Sequence, residues 1–199
     1  AIVGEPTSLQ PAIAEKGLMV LDITVTGKAG HAARNEGINA IYKAIDQINW
    51  IRNYHFPKVS TMLGEMKMTT TIIQAGTLHN CIPDKCTYTV DVRTTDCYTN
   101  QEVLDFITSQ LDAEVKARST RLGSSHINAD HPLIKKCQSL GLTPFGSPTL
   151  SDQALMPWQS FKLGPGDSKR SHTADEFIPL HDISQAIELY TTLLDGIAF

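Results

Sequence analysis

The chain has 199 residues, of which 41% are hydrophobic, and it carries a formal net charge of −4. This length suffices for one large domain or two small ones, and the ordinary apolar content allows a hydrophobic core. The mild acidity argues against nucleic acid or an anionic membrane as a partner, because both require a basic patch on the protein.

The four cysteines of the chain stand at spacings that fit neither a zinc finger nor a disulfide framework. We therefore expect reduced thiols and a cytoplasmic protein. The sequence predicts neither a signal peptide nor a membrane-spanning segment. The opening residues Ala1-Ile2-Val3 already have the character of a strand. This start leads us to expect that native sequence precedes Ala1.

The first predicted element is a buried strand within residues 1–7, which ends in a Gly-Glu-Pro break with Glu5 at its tip. Residues 17–27 alternate polar and apolar side chains, which predicts a second strand that ends in a turn, GKAG. Residues 37–52 carry isoleucines and alanines at helical spacing, and this pattern predicts an amphipathic helix.

Residues 68–75 and 85–95 predict two further strands, separated by a loop with the sequence GTLHNCIPD. Residues 99–113 begin with a threonine and a glutamate at capping-box spacing and predict a helix, and residues 114–121 predict a last strand. The order from residue 17 to 121 is thus β-α-β-β-α-β. This is the order of a ferredoxin-like sandwich, in which two helices cover one face of an antiparallel sheet.

The elements predicted after residue 125 are a helix at 131–141, strands near 143–147 and 158–163, and a long helix at 180–197. A small complete domain is therefore inserted into an incomplete α/β domain. The sequence predicts three segments, residues 1–16, 17–122 and 123–199.

Three residues have the chemistry of a site. Glu5 stands at a predicted strand end, where ligands commonly bind in open α/β sheets, although a solvated glutamate is the commoner outcome. His172 lies in a glycine-bearing loop and His31 lies between a strand and a helix. Histidine is a common metal ligand and acid–base group, but a lone loop histidine is more often inert.

Two polar residues of the inserted domain could bind a substrate. Asn80 lies in the loop between two predicted strands, and Arg93 lies at the end of one of them. A guanidinium suits carboxylate recognition because it donates two parallel hydrogen bonds. Composition alone favours a surface ion pair of Arg93 with Asp91 or Asp96. None of these signals is specific when taken singly.

Four stretches taken together resemble, in this order, the blocks of one family: GEPT, GKAGHAARNEGINAI, AGTLHNCIPDKCTYTVDVRTT and GPGDSKRSHTADEFIPL. The family contains acetylornithine deacetylases, succinyl-diaminopimelate desuccinylases, aminoacylases and zinc carboxypeptidases. The resemblance extends over essentially the whole chain. It implies an α/β catalytic domain that holds two zinc or cobalt ions, and an inserted ferredoxin-like lid that forms a homodimer.

The resemblance also implies roles for individual residues. Glu5 would be a ligand of one metal and His172 a ligand of the other. His31 would reach the active site of the partner subunit and stabilise the oxyanion. The residues implied to hold the substrate, an N-acyl amino acid, are Asn80, Arg93, Gly164 and Gly166.

The family's remaining metal ligands and its general base lie in blocks upstream of those found here, and the chain contains no Glu-Glu pair. Zinc needs about three protein ligands even in an open catalytic site. We therefore expect the chain by itself to bind metal weakly or not at all and to be inactive. For the parent protein the resemblance implies deacetylation of N-acetylornithine in arginine biosynthesis. Succinyl-diaminopimelate desuccinylase and N-acylcitrulline deacylase are the alternatives within the class, and a non-catalytic dimerisation module is the alternative outside it.

Overall fold

The computed structural model describes residues 1–34 and 36–197, and the chain divides into two compact units. The first unit consists of residues 1–16, the three residues Thr61–Leu63 and the chain from Ser124 onward. The second unit consists of Gly17–Ser60 and Gly64–Gly123. Within the described residues, no helix has both the length and the apolar character needed to cross a membrane.

The strands are, in chain order, β1 (Ile2–Val3), β2 (Ala12–Glu15), β3 (Met19–Thr26), β4 (Gly30–His31), β5 (Lys67–Ala75), β6 (Cys81–Ile82), β7 (Lys85–Arg93), β8 (Glu114–Ala117), β9 (Ser125–His126), β10 (Phe145–Ser147) and β11 (Phe161–Lys162). The helices are α1 (Ala40–Asn53), α2 (Asn100–Gln110), α3 (Pro132–Ser139) and α4 (Leu180–Leu194), with short 3₁₀ helices at Asp152–Leu155 and Ser168–Arg170.

The second unit is built on a four-stranded antiparallel sheet in the order β5-β7-β3-β8. Side chains alternate between buried and accessible along β3 and β7, as expected for strands with one face on a core. The buried face packs against α1 and α2, whose buried positions include Ala44 and Ile107. The β-α-β-β-α-β order and the ferredoxin-like fold predicted from the sequence are confirmed.

Local signals explain where the two helices of this unit begin. The Asn39 side chain accepts a hydrogen bond from the Ile41 backbone N–H at 2.9 Å, so α1 begins at Ala40 and not at the predicted residue 37. Gly37 has a φ of 89°, so the backbone at this residue is not helical and α1 cannot include it. Thr99 and Glu102 form the predicted capping box, which starts α2.

The second unit also contains a separate two-stranded ribbon. β4 and β6 pair antiparallel, with Gly30 opposite Ile82 and His31 opposite Cys81. The prediction of a turn up to Gly30 and of a continuous loop through residues 81 and 82 was therefore wrong at these positions. Strands of two residues are too short to produce an alternating pattern in the sequence.

The first unit contains a mixed sheet in the order β1-β11-β2-β10, with β9 also paired to β2. β1 runs parallel to β11, and β2 runs parallel to β10 and antiparallel to β11. The strand predicted as buried within residues 1–7 is only half-buried and comprises just two residues. The central strand β2 is fully buried and was not predicted, because four residues covered on both sides show no alternation. The long C-terminal helix ends at Leu194 and not at residue 197.

Candidate active site

A pocket of about 260 Å³ lies in the first unit, where the chain leaves the carboxyl end of β1. Glu5 and His172, the two residues implied as metal ligands, both line it, together with Lys162. Its wall is rich in hydroxyl groups, contributed by Thr7, Ser8, Ser147, Thr149, Ser168 and Ser171. The structure thus brings together a carboxylate and an imidazole that are far apart in the sequence.

Glu5 is exposed, and its backbone is fixed by the loop that contains Gly164. The Gly164 carbonyl accepts hydrogen bonds from the N–H groups of Thr7 at 3.2 Å and Leu9 at 3.0 Å. The Gly164 N–H donates to Thr7 Oγ1 at 3.1 Å. A Cβ on Gly164 would lie 2.5 Å from the Glu5 carbonyl oxygen, so only glycine permits this approach. Gly164 therefore positions the segment that carries Glu5.

Gly166 has a related local function. It has a φ of 82°, and its carbonyl accepts a hydrogen bond from the Ser8 N–H at 2.8 Å. Ser8 itself has a φ of 52°, in the left-handed region that non-glycine residues seldom adopt. The glycine loop thus holds the segment after Glu5 in an unusual backbone conformation.

His172 follows the second 3₁₀ helix and is exposed, with a φ of 62°. Its N–H donates a hydrogen bond to Glu176 Oε2 at 3.1 Å, which fixes the turn. A left-handed histidine costs free energy that its surroundings must offset, and such residues concentrate at functional sites. This conformation gives His172 a second distinguishing feature beyond its place in the pocket.

Glu5 and His172 have the right donor chemistry for zinc, but two ligands are fewer than the three that an open zinc site needs. Among residues 1–34 and 36–197, no group of three or more His, Cys, Asp or Glu side chains could hold a metal ion.

His31 lies on β4 of the second unit and Asn80 lies in the turn that precedes β6, and both residues are exposed. His31 Nδ1 accepts a hydrogen bond from the Ala33 N–H at 3.1 Å, which orients the ring and leaves Nε2 for another partner. The Asn80 carbonyl accepts a hydrogen bond from the N–H of Ala32, the residue after His31, at 3.0 Å, so this turn is held beside the chain that carries His31.

Arg93 ends β7 and its guanidinium is paired with a carboxylate. Nε and Nη2 donate to the two oxygens of Asp91 at 2.7 and 3.0 Å. The ion pair with Asp91, one of the two that composition favoured, is therefore present. A substrate carboxylate would have to use the remaining guanidinium donors or displace Asp91.

One polar cluster was not predicted. Glu15 and Lys162 form an ion pair at 2.9 Å with both side chains buried, and Lys162 reaches the pocket wall. The only sequence signal was a single charged residue in each of two apolar stretches, AIAE and FKLG. A charge in such a stretch suggests burial but does not identify its partner.

The sequence of the chain is similar to those of known proteins. Residues 13–119 match the M20 peptidase dimerisation domain. The acetylornithine deacetylase of Proteus mirabilis is 30% identical over 98% of this chain and 56% of its own length. That of Myxococcus xanthus is 27% identical over 92% of this chain and 53% of its own length. The chain spans about half the length of the curated relatives that it matches.

Solved structures share the fold at low sequence identity. A tripeptidase of Staphylococcus aureus superposes with a TM-score of 0.76 and 19% identity, covering 95% of this chain and 54% of its own. The YXEP protein of Bacillus subtilis, described as a dinuclear metal binding peptidase of the M20 family, has a TM-score of 0.62 and 16% identity, covering 96% and 55%.

Proposed function

Because the chain belongs to the M20 zinc-peptidase family, we propose that it provides the lid and part of the active site of a metal-dependent amidohydrolase. The pocket at the end of β1 supports this proposal most directly, since it is lined by both Glu5 and His172. We propose that residues 17–122 are the lid, and that residues 1–16 and 123–199 belong to the catalytic domain.

The proposed substrate is an N-acyl amino acid, with N-acetylornithine first. The curated relatives at 26–30% identity carry the name acetylornithine deacetylase, which supports a deacetylase in arginine biosynthesis. A succinyl-diaminopimelate or an N-acylcitrulline substrate is the alternative. We also propose a cytoplasmic location, supported by four cysteines that are all free thiols.

The proposed roles follow the chemistry of each side chain. Glu5 and His172 would supply two ligands of a centre of two zinc or cobalt ions, completed by residues outside the described chain. His31 would donate to the oxyanion that develops on the scissile carbonyl. Arg93 and Asn80 would hold the substrate, and Gly164 and Gly166 would shape the loop beside it.

We further propose a homodimer formed through the lid. β5 is an edge strand of its sheet, and Ile72 and Ile73 on it are 50% and 52% exposed. Tyr42 and Ile45 on α1 are also exposed. An uncovered apolar edge strand commonly pairs with another chain.

The second candidate is a dimerisation module without catalytic activity. It is favoured by the pocket wall, on which Glu5 and His172 are the two potential metal ligands among the residues that the structure describes. The exposed edge strand β5 would serve this function equally well.

Hydrolysis of N-acetyl-L-ornithine with added zinc or cobalt tests the proposal. The chain should be compared with the gene product that includes any native sequence before Ala1. We expect activity in the longer form, abolished by His172→Ala and retained by His126→Ala, an exposed histidine that does not line the pocket. If the longer form hydrolyses none of the N-acetylornithine, succinyl-diaminopimelate and N-acylcitrulline substrates, the dimerisation module is favoured. Activity of the chain alone would contradict our assignment of the missing ligands.

A further inference from the structure

Lys162 and Glu15 form an ion pair that is almost completely removed from solvent. Lys162 Nζ lies 2.9 Å from Glu15 Oε2, and the side chains are 3% and 0% exposed. The two residues come from the antiparallel neighbours β11 and β2. Charges are seldom buried so deeply, because each ion loses its hydration and the attraction between the two ions must offset that loss.

The ammonium group of Lys162 also binds the segment that begins at Ser147, the last residue of β10. It donates to the Thr149 carbonyl at 2.8 Å and to Ser147 Oγ at 3.2 Å, and Thr149 Oγ1 lies at 3.3 Å. An ammonium has three protons. Glu15 and this segment together therefore occupy the hydrogen-bonding capacity of Lys162.

The carboxylate of Glu15 binds the other end of the same segment. Oε2 accepts hydrogen bonds from Ser151 Oγ at 2.8 Å and from Gln153 Nε2 at 3.1 Å. Oε1 is buried and has no hydrogen-bond partner among the residues that the structure describes. The negative charge of Glu15 thus depends on Lys162 for its compensation.

Residues 147–153 are consequently held at both ends by one buried pair, and four residues of this segment line the pocket that contains Glu5 and His172: Ser147, Pro148, Thr149 and Leu150. We propose that Lys162 is a positioning residue, which with Glu15 fixes residues 147–153 as the pocket wall that contacts the bound N-acyl amino acid. The identity of that ligand rests on the proposed function, whereas the fixing of the wall does not.

A purely structural ion pair and a positioning pair respond differently to removal of both charges. Apolar residues of similar size often replace a buried ion pair without loss of stability, whereas removal of one partner leaves an uncompensated buried charge. Apolar side chains cannot, however, donate to Thr149 or accept from Ser151 and Gln153. The double replacement can therefore restore the stability of the protein while it removes the hydrogen bonds that hold residues 147–153.

The experiment compares Lys162→Met, Glu15→Leu and the double variant by thermal unfolding and by amide hydrogen exchange. We expect both single variants to unfold at a lower temperature and the double variant to recover. In the double variant, amides of residues 149–153 should nevertheless exchange at least about tenfold faster than in the unmodified protein. The control is Lys135→Met, which removes an exposed lysine paired with Asp130.

Recovery of both stability and slow exchange in the double variant would overturn the proposal. Failure of the double variant to fold would overturn it as well, because the pair would then be required for the fold itself. Neither readout requires activity, so the proposed function can fail without affecting this result.

In a form that hydrolyses N-acetyl-L-ornithine, the double variant should raise KM by about tenfold with kcat within about twofold. An unchanged KM would contradict the contact of residues 147–153 with the substrate.

Discussion

At the level of single residues, His31 presents an exposed imidazole that is oriented by the turn following β4. The Ala33 N–H donates to Nδ1, so Nε2 is the atom left for another partner, which in the proposed function is the oxyanion. Loss of one such donor typically costs about 100-fold in kcat. We therefore expect His31→Ala to lower kcat by about 100-fold in the active form of the protein, with metal content and thermal unfolding unchanged. His79→Ala, which removes another exposed histidine near the ribbon, is the matched control, and an unchanged kcat in His31→Ala would exclude the role.

Asp22 provides a prediction about pH. Arg118 donates to its two oxygens at 2.8 and 3.0 Å, and Thr89 Oγ1 donates to it at 3.0 Å. These bonds, those from Arg118 above all, hold the pKa of Asp22 below its ordinary value. The unfolded chain therefore binds the proton more readily, so the stabilisation is complete above the unfolded pKa and is lost as the pH falls through the folded pKa.

The size of this effect is limited by solvent. The Asp22 and Arg118 side chains are 45% and 58% exposed, which screens the pair. We expect Asp22→Asn to lower the free energy of unfolding by about 0.5 kcal/mol at neutral pH, and the difference to vanish at low pH. Urea unfolding of Asp22→Asn, Arg118→Gln and the double variant would measure it, and a loss that is independent of pH would contradict this account.

The sequence predicted local pairs better than distant ones. Arg93 and Asp91 lie two positions apart on one strand, hence on one face, and their ion pair is one of the two that composition favoured. Glu15 and Lys162 meet only because β2 and β11 are neighbours in the sheet. No local pattern encodes that pairing. The roles assigned to Glu5 and His172 likewise came from the resemblance and stay predictions, although the structure places both residues on one pocket.

At the level of elements, the start of α2 depends on its capping box. Thr99 Oγ1 accepts from the Glu102 N–H at 3.2 Å, and Glu102 Oε2 accepts from the Thr99 N–H at 2.8 Å. Removal of an N-cap side chain typically costs about 1 kcal/mol. We expect Thr99→Ala to lower the free energy of unfolding by about 1 kcal/mol and Thr99→Ser to retain most of it. Chemical denaturation measures both, and equal losses in the two variants would show that the hydroxyl is not the cause.

The edge strand β5 leads to a prediction about assembly. Ile73 is exposed, and among the described residues its strand β5 pairs only with β7. A lysine on an edge strand opposes pairing with a second chain, because its charge would have to be buried. We expect Ile73→Lys to convert the proposed dimer to a monomer in sedimentation equilibrium. Val59→Lys changes an equally exposed apolar residue outside the strand, and loss of the dimer in both variants would argue against β5 as the contact.

Element length decided which elements the sequence could reveal. β3 and β7 are long and one-sided, so their alternation was visible. β2 has four residues that are all buried, and β4 and β6 have two each, so none of them produced a usable period. The start of α1 lies later than the hydrophobic pattern predicted. Asn39 and Gly37 fix the backbone there through local stereochemistry, which the pattern does not report.

At the level of the whole molecule, each unit has its own hydrophobic core. The core of the second unit comprises residues from β3, β7, α1 and α2, including Leu21, Val90 and Ile107. The core of the first unit includes Ile134 and Leu163. A domain with a core of its own is expected to fold alone. The ferredoxin-like unit therefore has the physical requirements for independent stability.

We accordingly expect residues 17–123, expressed alone, to show helical and strand circular dichroism and a single cooperative thermal transition. Within this piece, the backbone amide hydrogens of Thr61–Leu63 should exchange rapidly with solvent, because that segment clusters with the first unit and not with the second. Leu21→Ala should lower the free energy of unfolding of the excised unit by about 2–5 kcal/mol, since Leu21 is fully buried. An excised unit that melts without cooperativity would show that its core, although closed by four strands and two helices, does not bury enough surface to offset the conformational entropy of its chain.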